Sequence, residues 1–296
     1  MNYYNEIKEK LIDNEINRKA KTYSINKSDL NTYYNVGKML SEAGKHYGEG
    51  IIKDYSKRLT NELGKGYTET RLRYYKRYFE VFSKYPTLSD KLSWSHYCEI
   101  LWLNINQINY YIDISLEQNL SVRKLRERIK NKEYERLDEQ TKEKLIKKGD
   151  KKVTDYIKNP IIINTKHKID KTKILEKILK QLILEDIDNF LKEIGNGFCY
   201  IESEYKIKIG DRYNYIDLLL FNIKYNCYVV IELKVTELKK EHIGQIQVYM
   251  NYIDHNIKDI TQDKTIGIII CKKDNNFIID YCSDPRIISK EYKLVY

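Results

Sequence analysis

The chain has 296 residues, 42% hydrophobic and 32% charged, with a formal net charge of +10. That length suits one large or two ordinary domains, each able to bury its own core. With no run of about 20 apolar residues, a transmembrane helix is excluded. The first residues, Met-Asn-Tyr-Tyr-Asn-Glu, carry no apolar signal core. The five cysteines (Cys98, Cys199, Cys227, Cys271, Cys282) show no C-x-x-C spacing. This argues against a disulfide framework or structural zinc, and for reduced thiols in a cytoplasmic protein. The 28 tyrosines, with abundant Ile, Lys and Asn, fit an AT-rich coding sequence, so much of the bias carries no function. Residues 1–150 hold 29 Lys and Arg against 22 Asp and Glu, and the remainder 24 against 21. The basic excess therefore lies mainly in the first half, which suits a polyanionic partner.

The first 150 residues read as helical throughout. The periodicity predicts helices near 2–20, 27–46, 50–64, 68–83, 89–103, 105–118, 121–130 and 137–148. Thr68 and Ser121 stand where N-caps are expected, and Gly64 and Gly66 read as a helix stop. Two of these helices are strongly basic. One holds Arg71, Arg73, Lys76 and Arg77 among tyrosines; the other holds Arg123, Lys124, Arg126, Arg128 and Lys130. Both are candidate phosphate-contacting surfaces. Residues 151–170 are charged and aperiodic apart from Ile161, Ile162 and Ile163, and read as a linker.

From 171 the pattern changes. One helix is predicted over 171–194, then strands near 198–208, 212–222 and 227–236. A helix near 240–254, a strand at 265–271, a short helix near 275–282 and a strand near 286–293 complete the chain. The order α-β-β-β-α-β-α-β predicts a mixed sheet with helices on both sides. The fold class is therefore α+β overall: an all-helical domain over 1–150, a linker over 151–170 and an α/β domain over 171–296.

Two acids and a lysine dominate the second domain. Asp217 sits in Tyr-Asn-Tyr-Ile-Asp-Leu-Leu-Leu-Phe, and Glu232 and Lys234 sit in Val-Val-Ile-Glu-Leu-Lys-Val. A symmetric hairpin about the turn at 223–226 makes 217 and 232 cross-strand partners, about 4.5–5.5 Å apart at Cβ. Val230, Glu232 and Lys234 share one strand face, as do Tyr215, Asp217 and Leu219. Two carboxylates so placed among apolar residues call for a divalent cation between them. Mg²⁺ is the first choice, with Mn²⁺ as a substitute, held by Asp217, Glu232 and the backbone of Leu233. Lys234 follows Glu232 by two residues on that face, beside such a cation. Gln245 and Tyr249 share a helix face one turn apart, and Glu193 is a candidate third acid. None of the five histidines has metal-ligand spacing.

The Asp…Glu-x-Lys arrangement resembles the PD-(D/E)XK nucleases, with Ile216 in place of the proline. The Gln-x-x-x-Tyr helix resembles their RecB-type branch, where the Gln helps to hold the metal-bound water and the substrate phosphate. The whole chain resembles the YhcG-type nucleases, which pair an all-helical domain with a C-terminal PD-(D/E)XK domain. That resemblance rests on Gly-Tyr-Thr-Glu-Thr-Arg-Leu-Arg-Tyr at 66–74, Leu-Ser-Trp-Ser-His-Tyr at 92–97 and Leu-Ser-Val-Arg-Lys-Leu at 120–125. It continues through Gly-Asn-Gly-Phe at 195–198, Ile-Asp-Leu-Leu-Leu-Phe at 216–221, Ile-Glu-Leu-Lys at 231–234 and Thr-Ile-Gly-Ile-Ile-Ile-Cys-Lys at 265–272. The family often has a basic residue along the stretch matching 201–205, where this chain has Glu202 and Glu204.

The resemblance implies a metal-dependent nuclease, with catalytic residues Asp217, Glu232, Lys234, Gln245, Tyr249 and Glu193. The expectation is a DNA endonuclease of DNA maintenance, mobile-element biology or defence. A homodimer would cut both strands, and a protein partner from a defence or mobile-element system is an open option. An RNA-directed nuclease, or a non-catalytic nucleic-acid-binding module that kept the fold, are the alternatives.

Overall fold

The computed structural model describes residues 3–20, 25–48, 50–84, 92–147, 149–150, 152–166 and 174–296. Residues 167–173, with His167, and the first residues of the helix expected at 89–103 lie outside them. The chain divides into two compact units, Met1–Tyr134 and Glu135–Tyr296. The sequence reading put the division later, at 151–170.

The first unit is helical: α1 (Tyr3–Ala20), α2 (Ile25–Tyr47), α3 (Ile51–Leu63), α4 (Glu69–Phe82), α5 (Trp94–Ile100), α6 (Ile105–Glu117) and α7 (Val122–Lys130). The expected caps are present: Thr68 Oγ1 accepts the Arg71 N–H at 3.3 Å and Ser121 Oγ the Lys124 N–H at 3.4 Å. Asn104 and Gln107 add a reciprocal capping box at the start of α6. Gly64 ends α3 with φ +96°, a left-handed conformation that favours glycine. Gly37 lets α2 and α4 touch: a Cβ there would stand 2.0 Å from the Tyr75 carbonyl oxygen. Much of the tyrosine excess is core. Tyr75, Tyr97 and Tyr111 are fully buried, and Tyr33 stacks on Tyr75 at 4.3 Å between ring centroids.

The second unit opens with α8 (Glu139–Lys147), a 3-10 turn (Val153–Tyr156) and β1 (Ile161–Asn164). It continues with α9 (Glu176–Glu185), α10 (Ile187–Ile194), β2 (Phe198–Ile209), β3 (Arg212–Asn222) and β4 (Cys227–Glu237). It ends with α11 (Lys240–Asn256), β5 (Asp263–Lys273), α12 (Asn276–Asp280) and β6 (Ile287–Val295). The six strands form one mixed sheet in the order β1-β6-β5-β4-β3-β2. β2–β3 and β3–β4 are antiparallel; β4–β5, β5–β6 and β1–β6 are parallel.

Two expectations are corrected. Ile161–Asn164, read as part of a linker, is a strand, with Ile161 paired to Tyr292 of β6. Four residues are too few to show alternation, and long-range pairing alone makes them a strand. The single helix expected over 171–194 is broken at Asp186, whose φ −138° and ψ 45° are not helical. Its carboxylate accepts both available contacts from the Asn189 side chain at 2.9 Å, a local bond that competes with the helix.

Each face of the sheet has its own core. Leu218, Leu220, Val229, Ile231, Leu233, Ile268 and Ile270 pack with Leu179 and Ile183 of α9 and Phe190 and Ile194 of α10. Ile216, Leu219, Val230 and Ile269 pack with Ile246, Tyr249, Met250 and Ile253 of α11. Gly267 of β5 brings α11 close, since a Cβ there would meet Met250 Sδ at 2.5 Å and Ile246 at 2.9 Å.

Candidate active site

The β3–β4 hairpin closes as its symmetry predicts. Asn222 pairs with Cys227, and the register runs outward to Leu218 opposite Ile231. Asn222 Oδ1 caps the turn by accepting the Lys224 and Tyr225 N–H groups at 3.0 and 3.1 Å. Asp217 and Glu232 are the next residues along the two strands. There a side-chain contact joins the strands: Asp217 Oδ2 accepts the Leu233 N–H at 3.0 Å. The β2–β3 ladder is also irregular at this level. It pairs Tyr205 with Ile216 and Ser203 with Leu218, while Glu204 between them has φ +53°. Ile216 and Leu218, two residues apart, belong to opposite cores, so the strand changes face at Asp217.

Glu232 is buried, with 1% of its surface exposed, and Lys234 is nearly so. Glu232 Oε2 accepts from Lys234 Nζ at 3.3 Å, while Oε1 has no hydrogen-bond partner. Burial, and then the negative charge of Asp217, push the Glu232 carboxyl up to about 8; the Lys234 ammonium opposes them. Lys234 Nζ also lies 3.9 Å from Glu176 of α9. Asp217 is half-buried, and its Oδ1 accepts from Lys180 of α9 at 3.3 Å. The same ammonium holds Glu204 at 2.7 Å.

Two lysines thus stand against two carboxylates at one end of the β3–β4 pair. Among the described residues, no group of three or more His, Cys, Asp or Glu is gathered closely enough to hold a metal. The donor set is a pair of carboxylates, one with an unpartnered buried oxygen. Mg²⁺ fits such a pair, because it binds one or two carboxylates and keeps several waters. Leu233 joins through its N–H to Asp217, and its side chain is core.

The other expected site residues are placed differently. Gln245 Nε2 donates to Tyr249 Oη at 3.2 Å, so the two meet one turn apart on α11, and the Tyr249 ring is part of the core beneath. His242 stands in the first turn of α11. Its pKa is lowered by burial and then by the Lys234 charge, against the pull of Glu241. Glu193, expected as the third acid, is engaged elsewhere. It pairs with Arg136 and accepts the Ile162 N–H at 3.0 Å, fastening α10 to β1. Glu176, Lys180 and Glu204 are the residues that sequence reasoning missed. The polar face of an amphipathic helix looks alike along its length, so nothing local marks Glu176 or Lys180. Glu204 carried one sign, as an acid where the family often has a base.

In the helical unit the expected basic surface is largely engaged internally. Arg71 donates to Tyr75 Oη at 2.6 Å, to the Gly66 carbonyl at 3.2 Å and to Tyr33 Oη at 3.4 Å, which makes it a packing residue. Arg77 donates to the Leu101 carbonyl at 3.0 Å, Arg73 pairs with Glu69 at 2.7 Å, and Lys76 lies 3.7 Å from Glu80. On α7, Arg126 pairs with Glu99 at 2.5 Å and Arg128 with Glu133 at 3.1 Å. Arg123 and Lys124 are exposed on the same helix.

Comparison with known proteins agrees with this architecture. Residues 154–294 match the YhcG PDDEXK nuclease domain, and residues 6–136 match the DUF1016 N-terminal domain. The chain is 22% identical over 319 aligned positions to "Putative nuclease YhcG" of Escherichia coli (strain K12), covering 92% of this chain and 84% of that protein. Among solved structures, a repair endonuclease from Pyrococcus abyssi aligns at 16% identity and a TM-score of 0.29. It covers 44% of this chain and 49% of that one. The structure of an EndoMS-dsDNA2 complex aligns at 18% identity and a TM-score of 0.30, covering 44% and 47%. The two domain matches occur in the order helical unit, then sheet unit, and together span most of the sequence. By these matches the chain carries a YhcG PDDEXK nuclease domain behind a DUF1016 N-terminal domain.

Proposed function

We propose that the protein is a metal-dependent endonuclease that hydrolyses phosphodiester bonds of DNA, with Asp217 and Glu232 holding Mg²⁺. The observation that carries this reading is Glu232 Oε1, a buried carboxylate oxygen without a partner beside a second carboxylate. Leaving a buried acceptor unpaired costs about 1–3 kcal/mol, more for a charged group, and a cation held there removes that cost. The bound metal would acidify a water and polarise the phosphate.

The residues of this chain set the geometry around it. The Leu233 N–H fixes the rotamer of Asp217 by holding Oδ2. Lys180 contacts Asp217 from the α9 side, and Lys234 contacts Glu232. The Lys234 ammonium, tethered two residues from Glu232 on the same strand, is suited to orient the attacking water or to stabilise charge on the phosphorane. Glu176 of α9 lies 3.9 Å from that ammonium.

The test is incubation with duplex, single-stranded and branched DNA, and with matched RNA, in Mg²⁺, Mn²⁺ or chelator. Metal-dependent DNA cleavage that vanishes in Asp217→Asn is expected. Cleavage of RNA alone would move the reading to an RNA-directed nuclease. Binding without cleavage in every metal would leave a non-catalytic module.

A further inference from the structure

A groove of about 730 Å³ lies between α11 and α12. It is lined by Lys240 and Ile243 of α11 and by Asn275, Phe277, Tyr281 and Ser283. Phe277 is 78% exposed and Tyr281 88% exposed. Phe277 lies in α12 and Tyr281 is its C-cap residue, and both line the groove. Ile278 and Cys282 line the groove as well, and Ile278 and Ile279 are packed on the core that also holds Ile246 and Tyr249. The sequence therefore keeps a firm turn whose two largest apolar rings are left in water. Isolated exposed apolar residues are ordinary, but paired rings on the wall of a groove mark a binding surface.

The place of the groove and its charge identify the occupant. β4 and β5 run parallel with Lys234 opposite Cys271, and the groove residues Lys240 and Asn275 follow shortly after these strands, so groove and candidate site share the same end of the β4–β5 pair. Lys240 is the only charged side chain among the described residues that line it, and it is a cation. Lys272 and Lys273 are exposed on β5 just before α12, with Glu237 lying 3.9 Å from Lys273. Aromatic rings beside a cation form a surface on which unpaired bases stack while the phosphates are held. A paired duplex hides its base faces and cannot use such rings.

We infer that Phe277 and Tyr281 form a stacking platform for unpaired bases of the DNA strand that enters the active site. The inference rests on the nuclease reading and narrows its substrate to DNA with unpaired nucleotides beside the cleaved bond.

The test uses the full chain, with Phe277→Ala and Tyr281→Ala combined. Both side chains are exposed, so an unchanged melting temperature serves as the folding control. In chelator, binding of a labelled oligothymidine and of a blunt duplex of equal length is followed by fluorescence anisotropy. The double variant should bind the single strand roughly a hundredfold more weakly, about tenfold per ring, and the duplex within about twofold. With metal, the wild type should cut a flapped duplex faster than a blunt one, and the variant should cut both at the blunt-duplex rate. Equal single-strand binding by wild type and variant overturns the platform, whatever is cleaved. A wild-type dimer in light scattering that the variant disperses overturns it in favour of self-association. Ring-dependent single-strand binding with no cleavage of any substrate would support the platform and count against the nuclease reading, so the two fail separately.

Discussion

Glu232 and Lys234 sit two residues apart on β4 and meet at 3.3 Å through one carboxylate oxygen, while the other oxygen of Glu232 is buried and unpaired. The lysine half-satisfies the acid, leaving an open acceptor where a cation is expected. Asp217→Asn, Glu232→Gln and Lys234→Ala should each lower metal-dependent cleavage at least about a thousandfold, or about 4 kcal/mol of barrier. Single-turnover rates at saturating DNA measure this. Retained activity in either acid variant would remove that residue from the metal site.

The same carboxylate sets a pH dependence of stability. Burial and Asp217 hold Glu232 at about 8, above its ordinary 4.5. Between those values the folded state binds a proton that the unfolded state has released. Stability therefore falls as pH rises through this window, and the full penalty is present above pH 8. Without divalent metal, Glu232→Gln should melt close to wild type at pH 5 and several degrees higher at pH 8. Calorimetry at the two values checks the sign, and a gap that narrows with rising pH would contradict it.

Arg71 and the pair Arg123/Lys124 should separate packing from binding. Arg71→Ala removes contacts to Tyr33, Tyr75 and Gly66 and should destabilise the helical unit by about 2–3 kcal/mol. Arg123→Glu with Lys124→Glu, both exposed, should leave the melting temperature unchanged. If α7 meets phosphates, the double variant weakens DNA binding and reduces the log–log salt slope by about 2. An unchanged slope would retire α7 as a contact surface.

Glu193 offers a control within the nuclease domain. Glu193→Gln loses the Arg136 ion pair, whose partners are largely buried, and should destabilise the unit by about 3 kcal/mol. The metal concentration for half-maximal cleavage should not move. A shift in that concentration would return Glu193 to the site.

Helix periodicity made the helical unit legible almost element by element, because each helix is specified by its own residues and caps. The acidic pair was legible for a related reason: hairpin register follows from turn position, and Asn222 opposite Cys227 fixes the rest of the ladder. What escaped depends on distant chain. β1 is a strand only because β6 lies beside it. Arg71 looked like a phosphate ligand because spacing does not reveal that two tyrosines and a carbonyl surround its guanidinium. Glu176 and Lys180 reach the acids from α9, and Glu193 turns to Arg136, through packing that no local pattern encodes.

Ile246 and Met250 rest directly on bare backbone at Gly267, so α11 sits as low on the sheet as a helix can. Any side chain at that position acts as a shim under the helix that carries His242 and Gln245. The seating of α11 is thus set at one position of β5, where added bulk would displace the helix that carries His242 and Gln245.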